Sequence, residues 1–236
     1  MKKIISILTV AFLFIFGQTD SADAITGKSD SIDRQQVIDL LRSEGIDGTY
    51  LEDHYSLTYR IFNIDSDERP ELLVAIHGGV HIGKFIVFKQ TKENKLKSIA
   101  AKDWKVENWD FDKGIDGGLD LANSLQCNGK TLYWIKTRTG GTGASIEEEH
   151  LVYFENDALV EAWTGTTKEQ VYAPDDTVYE KTGAFRMDPM TGHLYYWQTS
   201  STAKDDRRIE TPKTTLTIYQ FDGKRFIPVE NLIGGR

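Results

Sequence analysis

The chain has 236 residues, 39% of them hydrophobic, with 36 acidic against 28 basic side chains and a formal net charge of −8. This is ample for one buried core, and the acidic balance argues against nucleic acid or an anionic membrane surface as the partner. Cys127 is the single cysteine, so an internal disulfide is excluded and stability must come from packing, with metal as a possible aid.

Residues 1–24 read as an export signal. Lys2 and Lys3 precede an apolar run from Ile4 to Phe16, and Ala22-Asp23-Ala24 gives a small-x-small cleavage site. The run is short for a spanning helix, which needs about 20 residues, so the expectation is cleavage after Ala24 and a secreted protein with no stable membrane insertion. The leader carries Lys2, Lys3, Asp20 and Asp23, so its loss leaves the net charge unchanged. Residues 25–33 are polar and read as a linker. Residues 34–236 read as one β-rich domain.

Asp33 and Gln36 form a capping-box pair, flanked by Ile32 and Val37 as a hydrophobic staple, and Gly45 supplies a stop; a helix is expected over Arg34 to Glu44. Its apolar face, with Val37, Ile38, Leu40 and Leu41, needs a sheet to lie against. From Tyr55 the period changes to two. Tyr55, Leu57, Tyr59 and Ile61 alternate with polar residues, as in a strand with one buried face. Further strands are expected at Glu71 to Ile76, Lys84 to Lys89, Lys95 to Ala101, Leu132 to Lys136, His150 to Tyr153, Leu194 to Gln198 and Leu216 to Tyr219, with others around Leu159 and Phe226.

The strands fall into hairpins. Turns are expected at Thr91 to Asn94, Asn128-Gly129, Asn156-Asp157, Thr191-Gly192 and Asp222-Gly223. Aligning Phe88, Tyr153 and Tyr219 gives steps of 65 and 66 residues, which suggests three hairpin-rich repeats over about 50–105, 119–165 and 183–230. The fold class is all-β, about twelve strands with one short N-terminal helix. Its architecture is a propeller-like array, a sandwich or a barrel. The long connections His77 to Gly83, Thr137 to Glu149 and Thr199 to Thr214 recur at one place in each repeat, and would gather as a binding surface.

The acidic turn between the first two strands carries the most definite chemistry. Asn63, Asp65, Asp67 and Glu71 stand at positions 1, 3, 5 and 9 of a loop whose position 7 is Arg69. Residues two apart in a tightly curled loop turn their side chains inward together, and a backbone carbonyl serves at position 7. Hard oxygen donors so spaced suit calcium. Position 12 is Val74 and the flanks are strands, so an EF-hand is excluded. The stretch IFNIDSDERPELLVAI resembles the calcium loop of FG-GAP repeats, the integrin-like propeller blades, whose consensus reads D-x-D-x-D-G-x-x-D/E-L over about ten residues. The resemblance implies a calcium ion held by Asn63, Asp65, Asp67, Glu71 and the carbonyl of Arg69. Glu68 stands where such loops carry Gly, and a left-handed backbone at a non-Gly residue costs about 1 to 3 kcal/mol. The weak affinity of extracellular modules, about 10⁻⁴ to 10⁻³ M, is therefore the fitting range.

Other motifs carry less. His77 and His81 are four apart, but in a Gly-rich loop that spacing fixes no zinc geometry. Thr137 to Ser145 lacks the Gly-Lys-Ser/Thr ending of a phosphate loop. Trp104, Trp109 and Phe111 read as residues closing a core under a long loop, the alternative being a surface site that stacks on sugar rings, and Cys127 reads as a small buried apolar residue. Glu147, Glu148 and Glu149, like Lys204 to Arg208, read as solvated charge runs. No hydrolase spacing of the Gly-x-Ser-x-Gly or His-Glu-x-x-His type occurs in residues 25–236. The catalytic residues are unknown. The expected function is a secreted module binding an extracellular or cell-envelope ligand. The alternative is a secreted hydrolase acting on an extracellular or cell-wall substrate, using the Asp103 to Asp120 region with the two loop residues His77 and His81, although any of the five His (His54, His77, His81, His150 and His193) could meet an acid in space.

Overall fold

The computed structural model describes residues 32–51, 56–65, 67, 69–78, 82–106, 119–204, 207–208 and 210–234. The leader, most of the linker, Glu68, His54, His81, Trp109 and Phe111 lie outside them. Among the described residues the chain is mostly strand, and no helix is long and apolar enough to cross a membrane.

The helix α1 runs Arg34–Ser43, and its start is dictated locally. Asp33 Oδ1 accepts from the Gln36 N–H at 2.8 Å while Gln36 Oε1 accepts from the Asp33 N–H at 2.8 Å. A short 3₁₀ turn follows at Gly48–Leu51. Strands β1 (Ser56–Phe62), β2 (Glu71–Gly78), β3 (Ile82–Gln90) and β4 (Leu96–Lys102) make an antiparallel sheet in chain order. The unbroken apolar run of β2 is explained by burial on both sides. Leu72, Val74 and Ile76 pack with Ile86 and Phe88 against Val37 and Leu41 of α1. Leu73 and Ala75 face the other way with Phe85 and Val87, into a core shared with the second sheet.

That second sheet holds β5 (Leu119–Cys127), β6 (Lys130–Gly141), β7 (Ala144–Glu155), β8 (Ala158–Tyr172), β9 (Thr177–Asp188), β10 (His193–Lys204), β11 (Arg207–Arg208), β12 (Lys213–Phe221) and β13 (Phe226–Gly234). Its eight long strands form an antiparallel meander, with β11 paired to the end of β10. One face of β6 and β7, carrying Tyr133, Ile135 and Val152, is covered by the first sheet. The opposite face curls on itself, so that Cys127 and Leu132 near one end share a core with Leu194, Phe221 and Phe226 near the other. The edge strands β5 and β13 do not pair with each other, so the barrel is not closed. Gly183 permits the tight curl: a Cβ there would lie 2.0 Å from the Thr166 carbonyl oxygen, which accepts from the Tyr196 hydroxyl at 2.6 Å.

The hairpin turns fall where the dipeptides place them. Asn128-Gly129 and Asn156-Asp157 have φ of 48° and 77°, and 53° and 57°, the left-handed pairs that a two-residue turn needs to match strand twist. The propeller-like array does not appear. The first hairpin group has its own sheet backed by a helix, whereas the second and third are stretches of one continuous meander. Two expected long connections are also largely strand. Residues 137–141 and 144–149 pair in register to the tip at Gly141 and Ala144, and β10 runs on to Lys204. Their sequences hide this because the hairpin ends are polar on both faces, which erases the period-two signal. The register nevertheless brings both tips to one end of the sheet, through Ala144 opposite Val171 and Val178 opposite Ala203.

Candidate metal centre

The acidic loop lies at the seam between the two sheets, joining β1 to β2. Its Ile64 carbonyl accepts from the Tyr133 hydroxyl of β6 at 3.2 Å, which ties it to the second sheet. Within the loop, carboxylates turn onto following backbone donors. Asp65 Oδ1 accepts from the Asp67 N–H at 3.1 Å and Asp67 Oδ1 from the Arg69 N–H at 2.7 Å. Such Asx bonds are what Asp supplies in turns, and here they leave the second oxygen of each carboxylate to point inward, towards Lys89. One ligand atom from each of Asp65, Asp67 and Glu71 can be chosen so that all lie within 4.8 Å of one another. Two oxygens on opposite sides of a calcium ion, each at about 2.3 to 2.6 Å, stand that far apart. The donor set and its span therefore fit such an ion.

The remaining expected residues serve the loop differently. The Asn63 side-chain amide donates to the Asp67 carbonyl, so in this arrangement it braces the curl. The Arg69 guanidinium donates to the Gln90 carbonyl at 3.0 Å, fixing the loop exit to the end of β3.

Lys89, on β3, carries no motif in the sequence and stands at the centre. Its ammonium lies 2.5 Å from Asp65 Oδ2, 2.9 Å from Asp67 Oδ2, 2.7 Å from Asp157 Oδ1 and 3.9 Å from Glu71 Oε1. The left-handed turn at Asn156-Asp157 delivers Asp157 from the second sheet. Four carboxylates thus surround one ammonium. Burial alone would lower the Lys89 pKa, but hydrogen bonds to Asp157, Asp65 and Asp67 outweigh it and hold the group above the ordinary lysine range. Asp67 is held below the usual carboxylate range, chiefly by its bond to Lys89 and then by the Arg69 N–H.

Glu71 is the odd member, with no exposed surface. Its Oε2 accepts from the Ile64 N–H at 3.0 Å, while Oε1 has no hydrogen-bond partner among the described residues. Desolvation pushes its pKa from 4.5 to about 7, with repulsion from Asp65 and Asp67 adding to the rise and the Ile64 N–H and Lys89 opposing it.

A second polar cluster lies under the first sheet. His150 Nδ1 is 3.1 Å from Glu161 Oε1, and its Nε2 is 2.9 Å from Thr137 Oγ1. Glu161 is held below the usual carboxylate range mainly by His150, so the imidazole is oriented with Nδ1 as donor. Trp104 stacks on the His150 ring at 4.3 Å and on Phe85 at 6.2 Å. Trp104 therefore closes a core, as its sequence context suggests. Cys127 is buried beside Phe221 and has its thiol pKa raised by desolvation, the environment of an inert side chain.

Comparison of the chain with protein-family models, with curated proteins and with solved structures finds no match in any of the three.

Proposed function

We propose that the chain is a secreted binding module, exported through its N-terminal leader, whose Asn63–Glu71 loop takes a calcium ion that pins the seam between its two sheets. The observation that carries the metal assignment is Glu71, a fully buried carboxylate that converges with Asp65 and Asp67 and has one oxygen with no hydrogen bond among the described residues. Burying a carboxylate without a partner is costly, and a divalent ion with six to eight oxygen ligands removes that cost. Calcium fits better than magnesium because a loop closed by Asx bonds offers irregular oxygen geometry, whereas magnesium demands a near-ideal octahedron. The short resemblance to FG-GAP calcium loops points the same way.

Recognition rather than catalysis is supported by what is exposed. On β10, Tyr195 and Trp197 stack at 6.2 Å with 21° between their planes, on the opposite side of the strand from the core residues Leu194 and Tyr196, and Trp197 is 37% exposed. The ligand class expected is an extracellular or cell-envelope one. A hydrolase is the second reading, favoured by the Thr137–His150–Glu161 line. Against it, the hydroxyl and imidazole that would do the chemistry are 6% and 4% exposed beneath Trp104.

Thermal unfolding in chelator and in calcium tests the metal assignment. Calcium at about 100 times its dissociation constant adds about 2.7 kcal/mol of stability, a rise in Tm of several degrees. The double substitution Asp65→Ala, Asp67→Ala removes that rise, and magnesium substitutes poorly. A Tm that does not respond to calcium returns the loop to an ordinary hairpin turn.

A further inference from the structure

We propose that Lys89 is a tethered stand-in for the metal: its ammonium occupies the point on which Asp65, Asp67 and Glu71 converge, and an ion binds there only when Lys89 withdraws to Asp157. The inference rests on the calcium reading of the same loop and adds the residue that sets its affinity.

A lysine ammonium has three N–H donors and no more. Three carboxylates take them, at 2.5, 2.9 and 2.7 Å for Asp65, Asp67 and Asp157. Glu71 is the fourth, left at 3.9 Å with no hydrogen bond to Oε1 among the described residues, although it has no exposed surface. The ammonium therefore neutralises the centre incompletely. A calcium ion, with six to eight ligands, can engage all three loop carboxylates.

The same distances forbid sharing. The ammonium already stands at 2.5 and 2.9 Å from the Oδ2 atoms of Asp65 and Asp67, and calcium would need those atoms at about 2.3 to 2.6 Å. Two cations within one coordination shell repel strongly in a partly desolvated site. Asp157 gives Lys89 somewhere to go, because it lies on the β7–β8 turn with its side chain 62% exposed and outside the loop trio. Lys89 thus keeps the ion-free loop assembled, and its displacement is part of every binding event.

Calcium titrations by calorimetry on the full chain, with wild type, Lys89→Met and Lys89→Arg, test this. Lys89→Met is expected to bind calcium at least tenfold more tightly than wild type, and Lys89→Arg, which keeps the charge, no more tightly. Lys181→Met removes a lysine paired instead with Glu169 and is expected to leave affinity unchanged, which separates displacement from the loss of net charge. A measurement on the wild type alone guards against a misfolded variant. Acetylation of Lys89, read by peptide mass spectrometry, is expected to rise several-fold when calcium replaces chelator, because the amine leaves a site where its side chain is 11% exposed. Equal calcium affinity in wild type and Lys89→Met, or acetylation unchanged at saturating calcium, overturns the displacement and leaves the calcium site standing. No binding heat in either protein overturns both.

Discussion

Glu71 makes the ion-free protein sensitive to pH in a direction opposite to that of most paired carboxylates. Its folded pKa of about 7 lies above the ordinary 4.5, because burial disfavours the charge and Asp65 and Asp67 repel it. Between those values the folded state holds a proton that the unfolded state has lost, so stability falls as pH rises. The contribution is fully present below about pH 4.5 and lost by about pH 7. At about 1.4 kcal/mol per unit, the full change is about 3 kcal/mol. The assay is chemical denaturation in chelator at steps from pH 4.5 to 8, for wild type and Glu71→Gln, where the amide keeps the shape and an acceptor for the Ile64 N–H but does not titrate. Wild type should lose about 3 kcal/mol relative to the variant across that window. Added calcium should reverse the trend, because a metal-bound carboxylate must be deprotonated and affinity therefore rises with pH. A wild-type minus variant difference that stays constant with pH would show instead that Glu71 titrates as an ordinary carboxylate.

Asp33→Ala removes a complete capping box and should cost about 1 kcal/mol in denaturant melts, with the loss read as lower helix signal by circular dichroism. Gly183→Ala forces a Cβ to within 2.0 Å of the Thr166 carbonyl and should destabilise by about 1 to 3 kcal/mol or more, a drop in Tm of several degrees. Tyr133→Phe strands the Ile64 carbonyl at the sheet seam and should cost about 1 kcal/mol while also weakening calcium binding.

What was legible in the sequence was local. The Asp33/Gln36 box, the turn pairs Asn128-Gly129 and Asn156-Asp157, and the carboxylates at Asp65, Asp67 and Glu71 each act through neighbours a few residues away. Strand content followed from the period-two pattern wherever one face was buried. It failed at the outer parts of β6, β7 and β10, where both faces are polar and only the register reveals a strand. The propeller expectation failed for a different reason. Equal hairpin spacing is a property of a long meander as much as of blades, and only the split between two sheets decides. The turn holding Asp157 was legible, but the meeting of Asp157 and Lys89 with the acidic loop was not, because the three lie far apart in the chain. Sheet packing alone carries them to the acidic loop. His150, Thr137 and Glu161 likewise meet through strand pairing.

Whether calcium displaces Lys89 from the acidic loop is decided by the structure of the chain determined at about 10 mM calcium, roughly 100 times the expected dissociation constant. The expected result is an ion with oxygens of Asp65, Asp67 and Glu71 at about 2.3 to 2.6 Å, and Lys89 bonded to Asp157 alone. An ammonium still seated between Asp65 and Asp67, with no ion beside Glu71, would contradict it.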